Sequence, residues 1–461
     1  MSTTGVPGSV FTEPGCDHSR GKDATTAKAG CPAPTPGSAA GGCSFDGAMI
    51  TLVPIADAAH VVHGPIGCLG NSWEARGSLS SGPQLNRRAF TSDLTEHDVI
   101  FGGEQKLYDT VLEVARDHGP AAVFVYSTCV SALVGDDLDA VCAAAATATG
   151  VPVVPVHAPG FAGSKNLGNR LAGNALLDHV IGTREPAVRA DGTTSFDVNL
   201  VGEYNIAGEL WNVTPLLARL GLRVLASISG DGRYGDIATA HRAHATMVVC
   251  SRALLPLARG LAERHGVPWF EGSFYGVRAM AAALRGFATT LADEPLARRV
   301  EELIAEQEAL AATQLAPLRE RLAGTRAVLY TGGVKSWSMI SALQDVGVEV
   351  VASGATKSTP ADVDRMVELL GPDALIVRDG KPAQLVRIAR ETGADLLIAG
   401  GRNQYTALKS RLPFLDVNQE RHVPLAGYSG VVTLARELVR ALDNPVWAQV
   451  RRPAPWEPVA S

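Results

Sequence analysis

The sequence predicts an α/β protein built from three Rossmann-like domains, each a parallel sheet flanked by helices. From residue 46 onward, short β-branched runs alternate with amphipathic helical stretches. Glycine closes most of those stretches, as a left-handed helix terminus demands. The alternation is strictest in the last third, where RAVLYTGG, VEVVASG, DALIVRDG and ADLLIAGG are separated by KSWSMISALQDVG, TPADVDRMVELLG and KPAQLVRIARETG. A chain of 461 residues is also too long for one ordinary core.

Taken in order, residues 1–42 are rich in Pro, Gly, Ala, Ser and Thr and lack hydrophobic periodicity, which predicts a flexible tail in which Cys16, His18 and Cys31 are incidental. Residues 43–195 read as a first α/β domain. Within it AAVFVYSTC is a buried strand ending at Cys129, SALVGDDLDAVCAAAATATG a helix, and VPVVPV the next strand. Residues 196–322 read as a second domain: DVNLVGEYN, a helix through TPLLARLG, LRVLASISGDG, and ATMVVC ending at Cys250 before the helix SRALLPLARGLAERHG. Cys129 and Cys250 thus share a setting, the carboxyl edge of a parallel sheet, where loops vary and ligands bind. A charged connector helix follows over 294–323, with a kink expected at Pro317. Residues 323–440 are the third, doubly wound domain, and 441–461 a C-terminal segment that packs back or meets a partner.

A net charge of −6 supplies no basic field for nucleic acid. No cationic segment leads into an apolar run, and no stretch reaches the roughly 18 apolar residues that cross a bilayer, so a soluble, cytoplasmic chain is expected. Seven cysteines in such a chain predict reduced thiols available to metal rather than a disulfide framework.

Cys43, Cys68 and Cys129 each sit beside glycine or at a strand–loop–helix junction, without the close Cys pairs of a zinc site. Three thiolates are one short of the four an iron–sulfur cluster usually takes, which points to a second protein chain for the fourth. HGPIGC places Cys68 after a turn of small residues, with Arg76 eight positions on. Cys142, in an alanine-rich helix, reads as a small buried hydrophobe; His60 and His63 read as core or helix-end residues. TGGVKSW and AGGRNQY share one plan: a strand, paired glycines, then Lys335 or Arg402 at a helix start, a setting that favours an anion but matches no nucleotide-binding loop.

Longer motifs carry a resemblance over about residues 41–460: HGPIGCLGNSWEARGSLSSGP, FTSDLTEHDVIFGGEQKL, VNLVGEYNIAGE, EGSFYG, TGGVKSWSMISALQDVG and AGGRNQYTALKSRLPFLDVNQER. The chain resembles the nitrogenase component 1 family, and within it the E-type subunits (the NifE family) of the scaffold on which the iron–molybdenum cofactor is completed. That resemblance implies three Rossmann-like domains and an α2β2 heterotetramer with the N-type subunit, NifN. It implies that Cys43, Cys68 and Cys129 bind a [4Fe–4S] cluster at the subunit interface, and that Cys250 anchors the iron–sulfur–carbide precursor (the L-cluster) or its form matured with molybdenum and homocitrate. Arg76, Lys165, Asn169, Lys335, Arg402 and Asn418 fall at positions where the related catalytic subunit lines its cofactor. The implied partners are the iron protein NifH, NifB as precursor donor and the apo molybdenum–iron protein as recipient, with no nucleic acid and no membrane.

Two departures matter. Where the catalytic subunit carries an imidazole on molybdenum this chain has Asn418, a weaker donor, and Asn169 replaces another histidine. Both point to a site that grips cargo at one end and releases it, so no catalytic acid, base or nucleophile is assigned; His422 reads as a loop cap. The competing expectations are a catalytic iron–sulfur reductase of the nitrogenase or protochlorophyllide reductase type and a metal-free sugar-nucleotide transferase.

Overall fold

Valine- and alanine-rich runs fill the centre of each of three all-parallel sheets. The computed structural model describes residues 42–72, 88–187, 196–249, 251–331, 335–355, 358, 360–377, 380–418 and 420–452. The first sheet contains β1 (Ala58–His63), β2 (Ala89–Thr91), β3 (Ala122–Ser127) and β4 (Val153–Val156) in the order β2–β1–β3–β4. β1 and β3 are buried along their whole length, so neither alternates buried with exposed residues, and β1 buries His60 and His63 with its alanines and valines. The second sheet has β5 (Phe196–Glu203), β6 (Leu222–Ser229), β7 (Ala245–Val248) and β8 (Trp269–Glu271) in the order β6–β5–β7–β8. The third has β9 (Arg326–Tyr330), β10 (Glu349–Gly354), β11 (Ile376–Val377), β12 (Leu396–Ala399) and β13 (Phe414–Asp416) in the order β11–β10–β9–β12–β13.

In every sheet the chain first winds to one side of the opening strand and then to the other. The winding therefore reverses between β1 and β3, between β5 and β7, and between β9 and β12. At such a reversal the loops leaving the two carboxyl ends diverge and leave a crevice.

Helices α1 (Ser44–Leu52), α2 (Ile66–Ser72), α3 (Glu96–Phe101), α4 (Glu104–His118), α5 (Cys129–Val134), α6 (Leu138–Thr149) and α7 (Lys165–His179) accompany the first sheet. With the second go α8 (Glu209–Arg219), α9 (Tyr234–Ala238) and α10 (Ser251–His265), after which come α11 (Val277–Leu291) and α12 (Glu294–Leu322). The third sheet carries α13 (Lys335–Asp345), α14 (Pro360–Leu370), α15 (Pro382–Glu391), α16 (Gln404–Ser410), α17 (Gly427–Asp443) and α18 (Val446–Val450). The first two sheets share one compact unit, which runs to Glu271 and includes Thr289–Ala292; the third belongs to a second unit of Gly272–Ala288 and the chain from Asp293 onward.

Within the first unit, α1 and α7 pack backbone against backbone. A Cβ on Gly47 would lie 1.9 Å from the Lys165 carbonyl oxygen, and one on Gly168 would lie 1.8 Å from that of Ser44. On its other side α7 meets α10, where a Cβ on Gly260 would come within 2.5 Å of Leu177. One apolar core runs through these helices, from Phe45, Met49 and Phe124 beside the first sheet to Val201 and Ile228 of the second.

Three elements differ from expectation. The helix expected after Cys129 is two helices, because Gly135 turns left-handed at φ +88° and Asp137 restarts the chain by accepting from Ala140 N at 2.9 Å. HGPIGC is not a turn: Pro65 ends the strand exit and Cys68 already lies in α2, its N–H donating to Pro65 O at 3.0 Å. Among the described residues the DALIVRDG strand is only Ile376 and Val377, with Arg378 and Asp379 outside them. The connector helix runs from Glu294 to Leu322 through Pro317, its start capped by Asp293 accepting from Leu296 N at 2.6 Å. In the described part of the C-terminal segment, up to Arg452, Trp447 is buried and its Nε1 donates to Ala441 O at 3.0 Å.

Candidate metal centre

The crevice between β1 and β3 is where the first sheet delivers its thiols. Cys68 follows β1 on α2, and Cys129 follows β3 as the first residue of α5, with Ser131 Oγ accepting from Thr128 N at 2.9 Å to close that helix start. Cys43 comes from elsewhere. It immediately precedes α1 and pairs by an isolated antiparallel bridge with Ser164, which immediately precedes α7. Ser44 locks this entry, donating Oγ to Pro159 O at 2.5 Å and N to Gly163 O at 2.9 Å.

Gly160 is the point on which two of the thiols meet, Cys43 and Cys129. A Cβ there would lie 2.9 Å from Cys129 Sγ and 3.2 Å from Cys43 Sγ, so only glycine leaves both sulfurs in place. Burial pushes the Cys68 thiol up, and the charges of Cys129 and Cys43 push it further, as they would among thiolates that face one another. Cationic iron removes that repulsion, which suits the donor set to a soft metal. Among the described residues no three His, Cys, Asp or Glu side chains converge on the single point that one ion needs. Cys43 and Cys129 instead flank Gly160, with Cys68 near enough to feel the charge of both.

The surroundings of the thiols are apolar and exposed. Ile66 beside Cys68 is 62% exposed, Leu133 on the helix that begins at Cys129 is 76%, and Phe161 beside Gly160 is 55%. On α3, which packs against α5, Ile100 and Phe101 are 73% and 74% exposed. Exposed apolar surface of this kind is what an interaction face would present.

Behind the centre, Cys142 is buried in the core and burial raises its thiol to about 12, so it remains an inert hydrophobe. His60 and His63 are core residues of β1, bonded through Nδ1 to Tyr126 Oη at 2.7 Å and to Ser92 Oγ at 2.9 Å.

Of the other candidates in this unit, Arg76 and Cys250 lie outside the described residues. The chain reaches residue 249 at the second sheet's crevice, where Val249 N donates to Val201 O at 2.7 Å. Beside it two buried carboxylates brace the NIAGE loop: Glu203 Oε1 accepts from Tyr204 N at 3.0 Å and Asn205 N at 3.1 Å, and Glu209 Oε2 accepts from Ala207 N at 3.0 Å. Lys165 pairs with Asp46 at 3.5 Å. Asn169 is buried in the α1–α7 joint; with its amide nitrogen toward the two carbonyls, it donates to Gly47 O at 2.7 Å and Lys165 O at 3.1 Å.

In the second unit, the crevice between β9 and β12 carries the glycine pair Gly400–Gly401, while Gly332 and Gly333 lie outside the described residues. Lys335 opens α13, and Arg402 is exposed in the single turn Gly401–Asn403. Gly400 lets Asn418 lie close, since a Cβ there would be 3.0 Å from Asn418 Nδ2. Gly401 N, expected to face a ligand anion, already donates to Glu420 Oε2 at 3.2 Å. Burial pushes the Asp416 carboxyl up to about 6, with Asn418 N–H opposing and Glu420 adding to the rise. His422 is exposed. Gly160, the α1–α7 glycines and Asp416 were not singled out in sequence; only the small-residue run APGFAG pointed toward the first.

Three doubly wound parallel sheets, with cysteines gathered at the reversal point of the first, define a protein of nitrogenase component 1 architecture. The family model described as nitrogenase component 1 type oxidoreductase matches residues 43–443. A protein of Rippkaea orientalis described as nitrogenase iron-molybdenum cofactor biosynthesis protein NifE is 56% identical, covering 99% of this chain and 96% of its own length. Its Klebsiella pneumoniae counterpart is 55% identical over 97% of this chain and 98% of its own. The solved structure of nitrogenase Cp1 at pH 5 superposes with a TM-score of 0.80 at 29% identity, covering 92% of both chains. The chain belongs to the nitrogenase component 1 family and, within it, to the NifE branch. Among the described residues, no helix is long and apolar enough to cross a membrane.

Proposed function

We propose that this chain is a scaffold subunit for the biosynthesis of the nitrogenase iron–molybdenum cofactor, holding an eight-iron precursor as cargo while molybdenum and homocitrate are inserted and then releasing it to the apo catalytic protein. The observation that carries the reading is the grouping of three thiols, Cys43 and Cys129 against Gly160 and Cys68 close enough to feel the charge of both, with exposed apolar side chains on the same segments. Cys43, Cys68 and Cys129 would hold a [4Fe–4S] cluster, which supplies one-electron transfer when bound. The N-type subunit would cover Ile66, Leu133 and Phe161 and bring the fourth ligand, giving the α2β2 assembly.

Cys250 is proposed as the cargo anchor, because a residue leaving β7 emerges at the second sheet's reversal point. Arg76, Lys165, Asn169, Lys335, Arg402 and Asn418 are proposed as further cargo contacts. An amide at 418 binds metal less firmly than imidazole, which favours release over retention. NifH is proposed as electron and molybdenum donor, NifB as precursor source. The reductase alternative is not favoured, since the relatives at 55–56% identity are named for cofactor biosynthesis.

The test is iron counting on the anaerobically purified complex with its N-type partner. Cys250→Ala should lose the precursor's iron and keep the small cluster's; an undiminished precursor complement removes the anchor role.

A further inference from the structure

Helix α5 has only six residues, Cys129–Val134, and too short a span to hold itself in place. One residue grips both of its ends. At its start, Thr128 donates Oγ1 to the His63 backbone carbonyl at 2.9 Å. Past its end, Asp136 Oδ2 lies 2.8 Å from His63 Nε2, with both side chains almost wholly buried. A carboxylate only accepts, so Nε2 carries the proton and Nδ1 accepts from Ser92 Oγ at 2.9 Å. Burial holds the imidazole below its ordinary value despite the Asp136 charge, which keeps it in this neutral form near neutral pH.

The neighbouring glycines show how tightly the arrangement closes. A Cβ on Gly64 would lie 2.3 Å from Thr128 Oγ1; one on Gly103 would lie 3.0 Å from His63 Cε1 and 2.9 Å from Asp136 Oδ2. Gly103 also donates N to Asp136 Oδ1 at 3.0 Å, joining the start of α4 to the same carboxylate. His63 is the last residue of β1, and the chain continues through Gly64 and Pro65 into α2 with Cys68. The same residue thus fixes the loop that bears Cys68 and both ends of the helix that begins at Cys129.

We infer that His63 is a positioning residue: with Asp136 it clamps α5 and sets the separation of Cys68 and Cys129, without touching the metal itself. The inference rests on the proposal that those thiols share a cluster. A buried, fully hydrogen-bonded clamp allows one thiol spacing, whereas a broken one lets α5 pivot about Thr128.

The experiment compares the reduced-cluster EPR spectrum, the midpoint potential and the iron content of anaerobically purified complex with the N-type partner. In His63→Ala and in Asp136→Ala, the cluster signal should broaden, shift its g-values and lose amplitude, and the midpoint potential should move. The double variant should be no worse than the more affected single one. His63→Gln, whose amide can still donate toward Asp136, should recover most of the signal. Should His63→Ala fail to assemble, Asp136→Ala decides, because it leaves β1 and His63 intact. Wild-type g-values, amplitude and potential in Asp136→Ala, or in an assembled His63→Ala, overturn the clamp. The underlying reading fails separately: there Cys68→Ala itself would keep the wild-type signal.

Discussion

The reversal points of the first and third sheets occupy the same place in the same topology and have opposite chemistry. Between β1 and β3 the loops bring soft thiols, an apolar exposed rim and a backing of fully buried hydrogen bonds. Between β9 and β12 they bring glycines, an exposed arginine, two carboxylates and an amide. The shared winding decides where a ligand can sit. The loop side chains decide which ligand and how firmly, so equivalent edges of one fold can carry different chemistry, the proposed cluster ligands at one and proposed cargo contacts at the other.

The largest expected difference is all-or-none. Cys43→Ala, Cys68→Ala or Cys129→Ala should abolish the small-cluster EPR signal, whereas Cys142→Ala, the same change inside the core, should keep it. Equal retention in all four would erase the distinction between the thiol crevice and an ordinary sheet edge.

The next prediction separates the frame from the ligands. Gly168→Val puts carbon atoms onto the Ser44 carbonyl, where the backbone of α1 cannot yield, and should destabilise the first unit by about 3 kcal/mol. Because α1 begins just after Cys43, cluster iron should fall along with stability. Denaturant unfolding read beside iron content checks both; a stable protein lacking only iron would move Gly168 from the frame to the cluster.

How much of this was visible in the sequence follows from the range of the interactions. Strand–helix alternation and glycine stops are local, so the parallel sheets were legible, as were three thiols at their junctions. What escaped depends on distant pairing. Gly160 matters only because Cys43, far away in sequence, arrives beside it through the Ser164 bridge. His63 and Asp136 are separated by 73 positions and meet only when β1 and β3 pair. The split after Val134 was missed for a different reason: GDD reads equally as a helix surface until Gly135 takes positive φ.

The two regions should also respond to pH with opposite sign. Burial, then Arg88, holds the His60 imidazole down to about 3, against 6.5 when unfolded. Its contribution is present above 6.5 and declines as pH falls toward 3, by about 1.4 kcal/mol per unit well below 6.5. Asp416 is raised to about 6 from 3.8. Its contribution is full below 3.8 and is lost as pH rises through about 6. Between pH 6 and 4 the first sheet should therefore weaken while the third gains. Hydrogen exchange, corrected for intrinsic rates, reads each sheet separately, and His60→Gln and Asp416→Asn should flatten the respective slopes. Parallel slopes in the wild type would refute the assignment.

The smallest effect on stability bears most directly on whether the third sheet's edge is a working site. Arg402 is exposed and no shift of the fold depends on it, so Arg402→Ala should change stability by no more than about 0.5 kcal/mol. If its charge helps retain an anionic cargo, the variant should lose precursor iron faster on gel filtration, and raising salt should narrow the gap from wild type because screening removes the same attraction. Loss of retention without loss of stability isolates ligand binding from folding. Identical retention at low salt would leave the Glu420 carboxylate that already accepts from Gly401 N as the purpose of that edge, and the contrast with the thiol crevice would become one between a site and a structural turn.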